Sequence, residues 1–576
     1  MVDHKRPFNI NYVENPTQDK LKELSLQCTP LAELTSNGSV NKNTRNKARM
    51  AKYTYIVTDS DISDWSHQTI STKDAEKYIM AQREYIESKD FAIAIDGSIG
   101  NSKNAVPITW IYSPEGANIA GMQQVLSFPP ISGGRPSAPH FRVFYTPDFF
   151  CEDLPGRQAI LVDLDNWTTY IMGPDYFGES KKAALRMLCE YVYQEGGIVL
   201  HAGAKSVTTG NKEFLFGVMG LSGTGKTTTT FSKQGDRTVP VQDDMVALWP
   251  NAKMSVTENG CFAKTGGLNK EAEPVLYSGA NSKDSWLENA FLESGEPDFC
   301  KEVLTVDDVK RYSYELSATG FSKKNIDAIV SGAISIEACL DGDGTVSGFE
   351  FLRWTGNGRV VIPLDEIGES KVTNLPDVEF LGILNRDEGE MACTPAIVKF
   401  TSPEQAAGYF MLGETSKTSA AGSDRGKTRS PFTQPFFPRN HSHQATRFVE
   451  ICETMPDVTM WMMNTGYVGS SSRGADSTLG FKVSIEHSSI ILKHLLEDDI
   501  VWRKDPDFGY YTVDIYSEFN RQLLKGVPRE ILCPRYLYEK TGRQDIYTSW
   551  VNLMMLERKA YLKEFGVSKK IIDSVC

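Results

Sequence analysis

The chain has 576 residues, 40% hydrophobic and 23% charged, with a formal net charge of −13. That length exceeds what one hydrophobic core supports and predicts two large domains. The acidic balance argues against nucleic acid or an anionic membrane as the main partner, because both select basic faces.

Ten cysteines, none in a C-x-x-C pair, suggest neither a zinc site nor a disulfide framework. No run of 18 apolar residues occurs, and the stretch Met1-Val-Asp-His-Lys-Arg-Pro7 has no apolar core. The expectation is a reduced, cytoplasmic, enzyme-like protein, a monomer or small homo-oligomer, with no membrane and no nucleic-acid partner.

Along the chain, residues 1 to about 50 are polar, with a Lys/Arg/Asn-rich stretch from Ser36 to Arg49. It reads either as a solvated loop or as a basic segment able to close on an anion. Thr72 to Ser88 carries apolar residues at helical spacing behind an N-cap at Ser71 or Thr72. Strands are predicted over 91–96, 108–112, 141–145, 159–164 and 168–172, where apolar and β-branched residues cluster. Ser180 to Tyr193 reads as an amphipathic helix ending at the Gly196-Gly197 break, and an apolar strand follows over 198–202. A domain boundary is therefore placed near 198, giving an N-terminal domain over 1–198 and a C-terminal domain over 199–576.

Farther on, 245–380 reads as hairpin-rich, with strands over 334–340 and 347–353 joined by the turn Asp341-Gly-Asp-Gly344. Counted from Asp341, that turn lacks the sixth-position Gly and twelfth-position Glu of a calcium loop, so a hairpin turn is expected. Ser419 to Phe437 is rich in Gly, Ser and Pro, as expected of a loop or lid near 415–437.

The chemistry concentrates in Phe214-Leu-Phe-Gly-Val-Met-Gly-Leu-Ser-Gly-Thr-Gly-Lys-Thr227, an apolar strand running into the G-x-x-x-x-G-K-[ST] pattern of Gly220, Gly225, Lys226 and Thr227. Glycines there let backbone N–H groups surround phosphate oxygens. The lysine reaches the β- and γ-phosphates, and the threonine hydroxyl ligates Mg²⁺. A helix starting near Thr227 adds its positive end to the same anion site. The second requirement of such a site is a carboxylate pair on a neighbouring strand, and Asp243-Asp244 after Val239-Pro-Val meets it.

Several further blocks, in order over roughly 175–470, resemble the ATP-dependent phosphoenolpyruvate carboxykinase family. They are Tyr176-Phe-Gly-Glu-Ser-Lys-Lys182, His201 after the glycine break, Gly220-Leu-Ser-Gly-Thr-Gly-Lys-Thr-Thr228, and Cys261 to Pro274. Asn357-Gly-Arg-Val-Val-Ile-Pro363, Tyr409 to Gly426 and Asn464-Thr-Gly466 complete the series.

The resemblance implies an α/β fold in which an N-terminal mixed domain and a P-loop-containing C-terminal domain flank a cleft. It implies decarboxylation of oxaloacetate coupled to phosphoryl transfer from ATP, giving phosphoenolpyruvate, ADP and CO₂. It further implies Mn²⁺ on Lys182, His201 and Asp244, and Mg²⁺ on Thr227 with Asp243 holding one of its waters. A lysine ligand requires a strongly depressed pKa, which adjacent cations and a bound metal impose.

By the same resemblance, Arg359 spans substrate and γ-phosphate, Tyr176 packs against the carboxylate or CO₂, and Lys264 and Arg425 face the nucleotide. The nucleotide cradle is Gly220, Leu221, Ser222, Gly223, Thr224, Gly225, Lys226, Thr227 and Thr228. Lys182 and Arg359 also contact the substrate, together with an N-terminal arginine, Arg49 ahead of Arg45.

Departures from the family pattern are Val-Gln-Asp243-Asp244-Met-Val-Ala-Leu-Trp249, which keeps both aspartates but not the flanking glycine, glutamate and histidine, and Ser470-Ser-Ser-Arg-Gly474. They leave a second reading open, a kinase or nucleotide-binding regulator of this fold with another substrate. ATP, GTP and pyrophosphate are not separated by the sequence.

Overall fold

The structure, a computed structural model, describes residues 6–46, 50–131, 138–220, 224–232, 235–340, 349–354, 358–388, 392–416, 427–469 and 479–576. Strands, helices and long loops alternate in a mixed α/β chain. Contacts divide it into two compact units, 1–191 with 257–370, and 192–256 with 371–576. The division corrects the single boundary expected near 198. Strand Val40–Lys42 pairs in parallel with Trp286–Glu288, which pairs with Arg359–Pro363, so 257–370 is drawn back into the first unit by long-range pairing.

In the first unit an eight-stranded sheet runs in the order Tyr12–Glu14, Ala92–Ile99, Val106–Tyr112, Phe141–Thr146, Thr168–Met172, Ala159–Asp163, Thr54–Val57, Gln68–Ile70. The five strands expected over 91–172 are all present, the first extended to Ile99. Helix Thr72–Glu87 covers the sheet, capped by the Ser71 side chain accepting from the Asp74 N–H. A second, five-stranded sheet orders Gly260–Lys264, Arg359–Pro363, Trp286–Glu288, Val40–Lys42 and Ala32–Leu34.

The hairpin expected over 334–353 is not formed by the described residues. Ile336–Leu340 is an α-helix and Glu350–Leu352 a 3₁₀ turn, while Asp341–Gly344 lies outside the described residues. The apolar side chains of this stretch serve a helical cluster, in which Ile336, Cys339 and Leu352 pack with Val309, Leu316, Ile326 and Ile329. A short apolar run carries no signal that separates this packing from a strand.

The second unit is built on a ten-stranded sheet whose centre is parallel, with Lys212–Gly220 beside Val378–Asn385 beside Thr459–Asn464. Ile198–Thr209 lies antiparallel on the other side of Lys212–Gly220 and pairs also with Arg237–Gln242 and Met245–Trp249. The helix expected from Thr227 starts at Lys226 and ends at Phe231. Gly217, Val218 and Met219 of the central strand are buried, as a strand covered on both faces requires.

Of the expected lid, the ladder Thr415–Ser416 with Lys427–Thr428 is described, and 417–426 lies outside the described residues. That ladder rests on a buried charge cluster. Arg558 donates twice to Glu414, at 2.8 and 3.2 Å, and Lys427 reaches Asp387 at 3.0 Å. Among the described residues no helix is long and apolar enough to cross a membrane.

The Trp461 indole lies over Gly382 of the adjoining parallel strand. A Cβ on Gly382 would meet the Trp461 indole of the next strand at 2.2 Å. Gly382→Ala is expected to lower the apparent melting temperature, since overpacking of this kind costs about 1–3 kcal/mol. A melting temperature equal to that of the parent in a thermal scan would contradict that packing.

Candidate active site

In the second unit, the phosphate-binding pattern follows the C-terminal end of the central parallel strand, the end at which open α/β sheets bind ligands. Gly225 has φ +93°, a conformation that favours glycine. Leu221, Ser222 and Gly223 lie outside the described residues, and Thr227 and Thr228 are placed by their backbone alone, in the helix. The Thr465 hydroxyl donates to the Thr224 carbonyl at 2.9 Å, bracing the loop from the end of Thr459–Asn464, two strands along the sheet. Sequence reasoning missed Thr465 as a contributor, although it stands inside the Asn464-Thr-Gly466 block.

Three of the expected residues meet on one carboxylate. Lys226 Nζ lies 3.0 Å from Asp244 Oδ1, and His201 Nε2 lies 2.9 Å from the same oxygen. The elements explain the meeting. His201 pairs with Met245 across adjacent antiparallel strands, so Asp244, one residue earlier, turns beside it, and the helix beginning at Lys226 descends on the same spot. Asp243 is 8% exposed.

The other His201 nitrogen, Nδ1, faces the Phe432 carbonyl at 3.3 Å. A carbonyl only accepts, so Nδ1 donates in that contact. His201 Nε2 and the Asp244 carboxylate stand side by side, and imidazole and carboxylate are ordinary ligands of a divalent metal.

The first unit assembles the second group. Cα pairing puts Lys264, Arg359, Glu288 and Lys42 in one row across four neighbouring strands, so the four side chains share one face of the sheet. This row meets the start of helix Phe177–Gln194. Glu288 Oε1 accepts from the Phe177 N–H at 2.8 Å, and Arg359 Nε donates to the Tyr176 hydroxyl at 3.2 Å. Arg359 also donates to the Gly358 carbonyl at 2.7 Å, which fixes the plane of the guanidinium. Lys264 is exposed at the end of its strand.

Lys182 is buried, one turn into that helix, and donates to Glu179. Glu179 is fully buried and also accepts from the Met50 N–H at 3.0 Å and Arg186 at 3.4 Å. Burial opposes its charge, yet Lys182 and Arg186 hold its pKa down to about 2. Of the two arginine candidates, Arg49 lies outside the described residues, as does Arg425. Arg45 donates to Asp148 and to the Pro147 carbonyl, each at 2.7 Å.

Glu288 and Glu179, which meet Phe177 and Lys182, were missed by sequence reasoning. Glu179 stood inside the Tyr176–Lys182 block, whereas nothing local marks Glu288, whose importance comes from cross-strand register.

Against this geometry stand the comparisons with known proteins. A family model described as phosphoenolpyruvate carboxykinase matches residues 10–325 and 322–521. The chain belongs to the phosphoenolpyruvate carboxykinase family. It is 26% identical over 498 residues to the phosphoenolpyruvate carboxykinase (ATP) of Sinorhizobium fredii (strain NBRC 101917 / NGR234), covering 83% of this chain and 80% of that protein. Its identity to phosphoenolpyruvate carboxykinase (ATP) 1 of Moorella thermoacetica (strain ATCC 39073 / JCM 9320) is 25% over 556 residues, covering 93% of this chain and 91% of the relative. Tyr176, Lys182, His201, Lys226, Asp244 and Arg359, the residues expected from the resemblance, are all among the described side chains.

Burial pushes the Glu288 carboxyl up to about 8, against the Phe177 N–H it accepts. An ordinary glutamate titrates near about 4.3. Between those values the unfolded chain has lost a proton that the native state keeps, so this group's contribution to stability falls as pH rises through the window. Glu288→Gln removes the titration. Its melting temperature relative to the parent is expected to be higher at pH 8 than at pH 5, and an offset independent of pH would contradict the buried neutral carboxyl.

Proposed function

We infer that this chain is an ATP-dependent carboxykinase that converts oxaloacetate and ATP to phosphoenolpyruvate, ADP and CO₂. The single observation that carries the reading is the meeting of His201, Asp244 and Lys226 beside the phosphate loop, in a chain of this family. A nucleotide-binding regulator needs a phosphate loop but has no need of an imidazole–carboxylate pair held against it.

In the reaction, the bond between the departing carboxyl carbon and its neighbour breaks. CO₂ leaves, and the electron pair remains as an enolate. The enolate oxygen then attacks the γ-phosphorus, and the bond to the β-phosphate oxygen breaks to release ADP. Two charges must be offset, one on the enolate and one on the transferring phosphoryl group.

Lys226 brings a positive charge to the β- and γ-phosphates. In the structure it is held on Asp244, so it is already directed toward the place where nucleotide and metal meet. Arg359, with its plane fixed by Tyr176 and Gly358, offers a planar fork suited to a carboxylate or phosphate. Tyr176, nine-tenths or more buried, excludes water from one side of that fork.

A divalent metal held by His201 and Asp244, and Mg²⁺ at Thr227 with Asp243, would supply Lewis-acid stabilisation of the enolate and neutralise the phosphates. The unit containing the phosphate loop is taken as the nucleotide half, and the unit containing Tyr176 and Arg359 as the substrate half. Lys264, beside Arg359 in its row, belongs with the phosphates, as does Arg425. Arg49 is preferred to Arg45 for the second carboxylate, because the Arg45 guanidinium is engaged by Asp148 and Pro147.

The test is incorporation of labelled bicarbonate into oxaloacetate from phosphoenolpyruvate, ADP and Mn²⁺. The parent is expected to be active, Lys226→Ala to lose about 10²–10³ in kcat, and Arg359→Ala to lose carboxylation with nucleotide affinity kept. Full activity of Lys226→Ala, or an inactive parent that still binds ATP, would contradict the reading.

A further inference from the structure

Lys205 is fully buried in the middle of Ile198–Thr209, four residues beyond His201 on the same strand. Its amine lies under the far end of the phosphate-loop helix. It donates to the Thr229 carbonyl and, at 3.1 Å, to the Ser232 carbonyl, with the Ser232 hydroxyl at 3.4 Å. The Phe216 ring centroid lies 5.0 Å away. Helix and strand are in close apposition here, since a Cβ on Gly203 would meet Thr230 Oγ1 at 2.1 Å.

Packing gives no reason for a lysine at this position. Burial lowers the amine's pKa to about 7, so the charged form is penalised where it stands. A methionine of similar length would fill the same space without that penalty, and buried charges replaced by apolar groups of similar volume are often neutral or stabilising. What a methionine cannot do is donate hydrogen bonds to the last carbonyls of the helix, which no intrahelical N–H satisfies, or place positive charge at its negative end.

The helix is short. Lys226 to Phe231 spans six residues, roughly 9 Å at 1.5 Å per residue. A body of that length is aimed by its two ends. Thr465 braces the Thr224 carbonyl just ahead of the helix, and Lys205 grips the carbonyls at the other end.

We propose that Lys205 is a positioning residue for the ATP phosphates: by holding the C-terminal carbonyls of the phosphate-loop helix, it fixes the direction in which Lys226 is presented. The proposal rests on the ATP-dependent reading above and adds a residue to it.

Steady-state kinetics and thermal melting of the full chain carrying Lys205→Met test it, with Lys205→Gln and Lys226→Ala alongside. Lys205→Met is expected to melt at or above the parent's temperature while its KM for ATP rises about tenfold, the effect of one lost charged hydrogen-bonding contact, with the KM for oxaloacetate unchanged. Lys205→Gln, which keeps an N–H donor, should recover part of the ATP KM. An unchanged ATP KM in Lys205→Met, or a parallel rise of both KM values with a lower melting temperature, would overturn the proposal. If Lys205→Met does not fold, Lys205→Gln decides by the same comparison of the two KM values. Lys226→Ala separates the two claims. Loss there with none in Lys205→Met defeats only the positioning role, whereas no loss in Lys226→Ala defeats the ATP site itself.

Discussion

One carboxylate, that of Asp244, is the point on which three elements of the second unit meet. His201 and Lys226 reach its Oδ1 from two other elements, at 2.9 and 3.0 Å. The strand carrying His201, the turn carrying Asp244 and the helix carrying Lys226 must therefore keep a fixed mutual arrangement. Each neighbouring feature serves that requirement. Gly203 lets the helix seat on the strand, and the parallel centre of the sheet sets the level at which the loop leaves it. An imidazole nitrogen and a carboxylate side by side are groups that a divalent cation takes as ligands.

The first unit shows a different electrostatic arrangement. In a chain with a net charge of −13, positive charge is gathered locally. Lys264, Arg359 and Lys42 stand in one cross-strand row, with a single acid among them. That acid, Glu288, is held neutral by burial up to about pH 8, so at neutral pH it adds no negative charge to the row and still caps the helix that carries Lys182. Glu179 is the opposite case, a carboxylate kept ionised between Lys182 and Arg186. Two buried glutamates thus take different charge states because one faces cations at contact distance and the other faces a backbone N–H.

How much of this could be read from the chain depended on the range of the interaction. The helix capped by Ser71, the strands between 91 and 172, the strand ending at Gly220 and the helix from Lys226 are local patterns, and they stand in the structure with ends moved by a few residues. The resemblance likewise singled out Tyr176, Lys182, His201, Asp244 and Arg359, of which the structure brings His201 to Asp244 and Tyr176 to Arg359. The failures are non-local. The apolar stretch at 334–340 looks the same to a strand and to a buried helix, and only the cluster with Val309 and Ile329 makes it helical. The return of 257–370 to the first unit depends on Val40–Lys42 finding Trp286–Glu288, a pairing no spacing announces. Glu288 and Lys205 were invisible for the same reason, since their significance is the backbone they meet across the fold.

Crystals soaked with Mn²⁺ and recorded at the manganese edge test the central claim most directly. The account predicts an anomalous peak bonded to His201 Nε2 and the Asp244 carboxylate, with Lys226 Nζ displaced from Asp244 Oδ1. A fully occupied manganese peak elsewhere, with the His201–Asp244 contact and the Lys226 ion pair both unchanged, would contradict it.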